Sequence, residues 1–202
     1  MSKGWMRWCD ELPESELGGV LQLAMQGAAQ GLAGMAGRPV RISALRLETV
    51  PIAQIATHAG NPETEVVGVY LLMEGDCSGQ AILMFSLDSA LRLANMLLER
   101  PLDAPSQLEE LECSALAEVG NLMVSYFLNA VAAFLKKPKM LQPSPPNVMV
   151  DMLGAILQVV ATPLAAASDD LLLVEAAFVS DNAASSLDSQ MQIHFWVLPN
   201  PR

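Results

Sequence analysis

Residues 107–135 read QLEELECSALAEVGNLMVSYFLNAVAAFL. Leu116, Val119, Met123, Phe127 and Phe134 recur at helical spacing and predict one long helix over 107–135 with those side chains as its core face. At about 100° per residue, Ser114, Glu118, Asn121, Ser125 and Asn129 gather on the other side, in a stripe about 80° wide. Glu118 is the single charged residue between Cys113 and Leu135. A solvated face of this length ordinarily carries several Lys and Glu, so a polar but nearly uncharged face suits burial under another protein. On periodicity alone the same stripe is equally the wet side of an amphipathic helix. Ser106 with Glu109 three residues later has the form of a capping box, and Lys136-Lys137-Pro138 suits the carbonyl end of the helix.

A second long helix is expected from Ser15 to Gly37, where Gly then Arg38-Pro39 ends it. Shifted by 99 positions, Ser15 falls on Ser114, Val20 on Val119, Leu23 on Leu122 and Arg38-Pro39 on Lys137-Pro138. Strands are expected over Pro39–Leu47, Glu65–Met73 and Gln80–Phe85 in the first half, the last two joined as a hairpin through EGDCSG. Ser86-Leu87-Asp88 opens a short helix over Ser89–Glu99, and Pro101–Ser106 links the halves. In the second half, the extended run Pro143–Pro146 leads to a helix over Asp151–Ala166, bent at Pro163. Strands at Leu171–Val179 and Gln190–Leu198 flank the polar loop SDNAASSLDS. Each half thus begins with a long helix and ends in a strand pair. The expected fold is α+β: an internally duplicated, pseudo-two-fold domain with a mostly antiparallel sheet of about six strands and two long helices on one face. One domain is expected over 1–202, with halves at about 15–100 and 106–200.

Composition narrows the function. Of the 202 residues, 52% are hydrophobic and 16% charged, which excludes a disordered chain. Eleven Lys and Arg against 22 Asp and Glu give a net charge of −11, a surface that repels phosphate backbones, so nucleic acid is not an expected partner. The N-terminal MSKGWMRWCDELPESE is polar and is not a secretory signal. Leu17–Gly37 lacks charge and is long enough to span a bilayer. Gln22, Gln26 and Gln30, four apart, give it a polar stripe, so a soluble helix is expected and no membrane insertion. Cys9, Cys77 and Cys113 are read as reduced thiols in a cytoplasmic protein.

The segment SALAEVGN (Ser114–Asn121), with Pro143 and Pro145 a little over twenty residues on, resembles the active-site signature of the CheC family of chemotaxis phosphatases, relatives of flagellar switch proteins. That signature is Asp or Ser, three residues, Glu, two residues, Asn, then about twenty-two residues and Pro. Ser114, Glu118 and Asn121 match it; the two prolines lie one position either side of the expected place. GDCSGQAILMFSLDSALRLANMLL, PSPPNVMVDMLGAIL and HFWVLPNP also look like family segments, so the resemblance covers nearly the whole chain. It implies a hydrolase that removes the aspartyl phosphate from a CheY-like response-regulator receiver. Asn121 is implied to position water, Glu118 to pair with the receiver's active-site lysine, and Ser114 to contact the receiver. Any Mg²⁺ is implied to belong to the receiver, so no cofactor of this chain's own is expected. Some family members carry a second Glu-x-x-Asn on the first helix; here Gly19 and Gln22 stand at those positions, so one active site is expected rather than two. The alternative is a non-catalytic module that binds a receiver or a CheD-type deamidase in chemotaxis or another signalling route.

Other motifs carry less. GDCSG (Gly75–Gly79) lacks a histidine placed by sequence context and reads as a hairpin turn rather than a nucleophile motif. His58 and His194 are isolated along the chain, with no His-x-x-x-His or Cys-x-x-Cys spacing, so no metal site is expected. No Gly-rich phosphate loop follows a strand. The methionines lie in apolar runs, as core fillers do.

Overall fold

A computed structural model describes residues 14–101, 107–135, 140–166, 168–180 and 192–200. The chain runs α1 (Glu14–Ala36), β1 (Val40–Pro51), a 3₁₀ turn (Ile52–Gln54), α2 (Ile55–His58), β2 (Glu65–Gly75), β3 (Gly79–Ser86), α3 (Leu87–Leu97) and α4 (Glu110–Ala133). It continues with β4 (Leu141–Pro143), β5 (Asn147–Met152), α5 (Leu153–Ala165), β6 (Asp170–Ser180) and β7 (Gln192–Pro199). All strands join one antiparallel sheet in the order β1-β6-β7-β3-β2-β4, with β5 also on β2. The order is symmetric about the β7–β3 pair. β1, β2 and β3 of the first half answer to β5, β6 and β7 of the second, which is the arrangement an internal duplication produces.

Among the described residues the sheet has seven strands, where about six are expected, because one edge is cut in two. Pro145 and Pro146 carry no N–H and cannot donate to a ladder. Ser144 bridges the gap: its N–H donates to Leu72 O (2.9 Å) and its Oγ accepts from Leu72 N–H (2.9 Å). β4 and β5 therefore pair with two ends of β2. Asp151, expected to open a helix, belongs to β5, and α5 starts at Leu153.

Alternation along the strands divides the core. Val67, Val69, Leu71, Leu83, Phe85, Val174, Phe178, Phe195 and Val197 face α1, α3 and α4. Val66, Ile82, Met84, Leu171, Leu173, Trp196 and Leu198 face α5 and Ile55 of α2. Both long helices lie on one face, as expected, and α5 with α2 covers the other. Leu116, Val119, Met123 and Phe127 of α4 are fully buried. Phe134 was expected in that core face, yet it caps the helix and is exposed, because α4 ends at Ala133. Among the described residues α4, not α1, is the helix long and apolar enough to cross a membrane; its apolar side is packed on the sheet.

Local chemistry sets the helix ends. Ser86 caps α3, its Oγ accepting from Ser89 N–H at 3.2 Å. The capping box of α4 is Glu109 with Glu112, three residues on from the pair read from sequence. Glu112 accepts from Glu109 N–H at 3.2 Å and from the Arg100 guanidinium, which ties the end of α3 to the start of α4. Ser106, Lys136-Lys137-Pro138 and SDNAASSLDS, apart from Ser180 at the end of β6, lie outside the described residues. Cys77 is buried and disulfide-bonded, which corrects the reading of three reduced thiols; Cys113 is free.

Hydrogen bonding from its own backbone N–H, then from Arg100, holds the Glu112 carboxyl below the usual carboxylate range. A depressed folded value adds stability above the unfolded value of about 4.3, and that contribution is lost as pH falls through the folded value. Wild type is therefore expected to exceed Glu112→Gln in urea midpoint at pH 7. The gap is expected to narrow steadily below about pH 4.

Candidate functional site on the fourth helix

Two close approaches fix α4. A Cβ on Gly120 would stand 2.5 Å from Val69 Cγ1 and 3.3 Å from Leu71 Cδ1, so the bare glycine lets the helix settle onto β2. On the neighbouring side, Gly27 faces Tyr126 O and Ala130, while Gly31 faces Tyr126 and Leu122. Ascending numbers on α1 thus meet descending numbers on α4, so the helices are antiparallel, and Gly31 accepts the Tyr126 ring where any side chain would collide. The Gly and Ala content of the first helix is its contact face with α4, and Gln22, Gln26 and Gln30 point outward, as their spacing predicts.

With the sheet on one side and α1 on the next, the polar stripe is left facing out. Ser114, Glu118 and Asn129 are exposed, and Asn121 and Ser125 are half-buried. Asn121 lies deeper than Glu118 because it sits toward Leu128, buried at 1% exposure, while Glu118 sits toward the half-exposed Leu122. Among the described residues neither Glu118 nor Asn121 has a hydrogen bond or ion pair of its side chain. A carboxylate and a carboxamide, one turn apart and without internal partners, are thus presented on a helix that cannot shift without disturbing β2 and α1.

Neighbouring groups are not competitors for chemistry. Burial, then the Glu112 carboxylate, pushes the Cys113 thiol up, which keeps it protonated and poorly nucleophilic. Gly75–Gly79 includes the turn between β2 and β3, as GDCSG was read. Gly75 has φ +105° and lies against Met140 O, so glycine is required there by backbone conformation and space together. Pro143, one of the two candidate signature prolines, sits in β4 opposite Met73, on the sheet edge beside α4. On α1, Gly19 and Gln22 occupy exposed positions matching Glu118 and Asn121, but Gly19 offers no side chain.

Gly120→Ala tests the seat of α4. Alanine gains about 1 kcal/mol of helix propensity, but overpacking against a stiff buried valine costs about 1–3 kcal/mol. A lower urea midpoint than wild type is expected. Gly34→Ala, with open space at its Cβ, is expected to raise the midpoint, by a stability gain of about 0.5–1 kcal/mol.

No family model matches the chain. Among curated proteins, the CheY-P phosphatase CheC of Bacillus subtilis is 23% identical over 175 residues, covering 86% of this chain and 81% of that protein. Among solved structures, FliY of Thermotoga maritima superposes with a TM-score of 0.67 at 17% identity, over 92% of this chain and 90% of that one. A chain of the CheX–CheY–BeF3–Mg complex of Borrelia burgdorferi gives 0.60 at 16% identity, over 90% and 97%. The duplicated sheet order, the two long helices on one face and the match to a CheC sequence along most of its length agree: the chain is similar to CheC in sequence and shares the fold of FliY and of the CheX–CheY complex chain.

Proposed function

We propose that this chain is a phosphatase that hydrolyses the aspartyl phosphate of a CheY-like receiver, with α4 as the element that enters the receiver's site. The observation that carries this reading is the outward, unpartnered Glu118–Asn121 pair on a helix held rigidly from two sides. An acyl phosphate is already energetic, so the enzyme's main task is to hold water in line with phosphorus. A carboxamide suits that task, since it donates and accepts hydrogen bonds without adding charge beside an anion. Water oxygen bonds to phosphorus, the bond from phosphorus to the aspartyl oxygen breaks, and the carboxylate leaves with its electron pair; the water's proton departs with inorganic phosphate or solvent. Glu118 supplies a charge for the receiver's lysine, which orients the docked pair, and Ser114 adds a contact one turn earlier. The chain supplies no metal to this step; Mg²⁺ is the receiver's. The proposed setting is the cytoplasm.

A second reading is favoured by a different likeness. A chain of the FliG–FliM complex of H. pylori superposes with a TM-score of 0.59 at 10% identity, over 94% of this chain and 96% of that one. On this reading the same face binds a receiver, a CheD-type protein or a flagellar component without hydrolysis. The two part in one assay: phosphorylated receiver is mixed with the chain and its loss of phosphate is followed. Faster decay with wild type and with Gln22→Ala supports the phosphatase. Decay at the receiver's own rate, with binding retained, leaves the binding module.

A further inference from the structure

The face of the sheet opposite α4 gathers the only two histidines of the chain. Glu48 on β1 lies opposite Leu173 of β6, and Glu175 lies two residues on from Leu173, so both carboxylates leave the same sheet face one diagonal step apart. His194 on β7 stands opposite Ala177 and shares that face. His58, the last residue of α2, folds back over it. Glu48 Oε1 is 3.3 Å from His58 Nε2, and Glu175 Oε1 is 3.7 Å from His194 Nδ1. The nearest donor atoms of Glu48, His58 and Glu175 all lie within 4.8 Å of one another. Among the described residues, the histidines are the ring partners of these two carboxylates; Arg46, opposite Glu175 in the ladder, forms no ion pair with them. The Trp196 ring lies beside His58, centroids 6.0 Å apart, and gives the cluster an apolar wall.

We propose that Glu48, His58 and Glu175 form a binding site for a divalent zinc-like ion, with His194 beside it on Glu175. Zinc takes four ligands at about 2.0–2.1 Å in a tetrahedron, which sets neighbouring donor atoms about 3.3 Å apart. Glu48 and His58 stand at that spacing, and the three donor atoms, within 4.8 Å of one another, draw together to close on the ion. An imidazole nitrogen beside two carboxylates selects a borderline cation; magnesium and calcium take all-oxygen shells. Three protein ligands leave a fourth position for water, and the ion pins α2 and the edge strand β1 to β6. This site lies across the sheet from Glu118 and Asn121 and does not depend on their function.

The test uses the full chain, treated with chelator and then freed of it. Titration with ZnCl₂ is followed by calorimetry, and Co²⁺ is used as a spectroscopic stand-in. One ion per chain, tetrahedral cobalt absorption and a raised melting temperature are expected. Millimolar Mg²⁺ is not expected to compete. His58→Ala and Glu48→Ala should each weaken zinc at least tenfold, while Cys113→Ser binds as wild type. His58 and Glu48 are not core side chains, and circular dichroism verifies that the variants fold. No saturable binding by wild type, or equal binding by the Glu48→Ala/His58→Ala double variant, overturns the proposal.

Discussion

Asn121→Ala is expected to lower the chain's acceleration of receiver dephosphorylation by at least about 100-fold, the scale on which misplacing a reacting group is felt. The reasoning is geometric. Asn121 has no internal hydrogen bond among the described residues and is only half-buried, so its removal leaves the fold within about 0.5 kcal/mol of wild type. Whatever activity disappears was therefore owed to the amide group itself. Receiver binding should persist in large part, since Glu118 and the rest of the helix face remain. Glu118→Ala is expected to act differently. Losing a carboxylate that meets a cation in a desolvated contact weakens binding on the order of tenfold or more. Glu118→Gln separates charge from shape: it should bind as poorly as the alanine variant if charge governs docking. Decay curves at several receiver concentrations distinguish a lower maximal rate for Asn121→Ala from a higher half-saturating concentration for Glu118→Ala. If Asn121→Ala decays as fast as wild type, the water-positioning role is wrong.

The largest effect on stability is expected at Phe195. Its ring is fully buried on β7 and touches the α4 face of the core, standing edge-on to Phe127 at 5.9 Å and 83°, and tilted against Phe178 at 6.3 Å and 40°. Phe195→Ala removes a side chain shared by the helix, β6 and β7, and the sheet around it is too constrained to collapse into the void. A loss of about 3–5 kcal/mol is expected, against a total of about 5–15 kcal/mol for a typical native protein. The urea midpoint should fall with the slope unchanged. Phe195→Leu, which keeps much of the apolar volume, should lose less. Phe134→Ala, at the exposed helix end, should cost about 1 kcal/mol or less. A Phe195→Ala midpoint equal to that of Phe134→Ala would show that the aromatic trio is not the core of this face.

Much of the fold was legible because it is written in local periodicity. Leu116, Val119, Met123 and Phe127 recur at the helical period and are buried; Glu118 and Asn121 fall off that period and face out. Elements with strong alternation or clear stops were found within a few residues. The misses arise where one residue answers to two rules. Asp151 resembles a helix start, but the ladder with Val66 claims it for β5. Phe134 keeps the helical spacing, but the helix stops before spacing can bury it. Glu112 lies in the first turn of α4, and only the arrival of Arg100 from the end of α3 shows why it is buried.

By itself, the sequence determined the elements, the two halves and the pair of side chains on α4, because periodicity and capping act over a few residues and need no distant partner. Tertiary structure alone decided what lies beside what. It placed β6 and β7 between β1 and β3, seated Gly120 on Val69, and carried His58 to Glu48 and His194 to Glu175. Sheet order is chosen by the burial of whole faces at once, and no window of residues contains that sum.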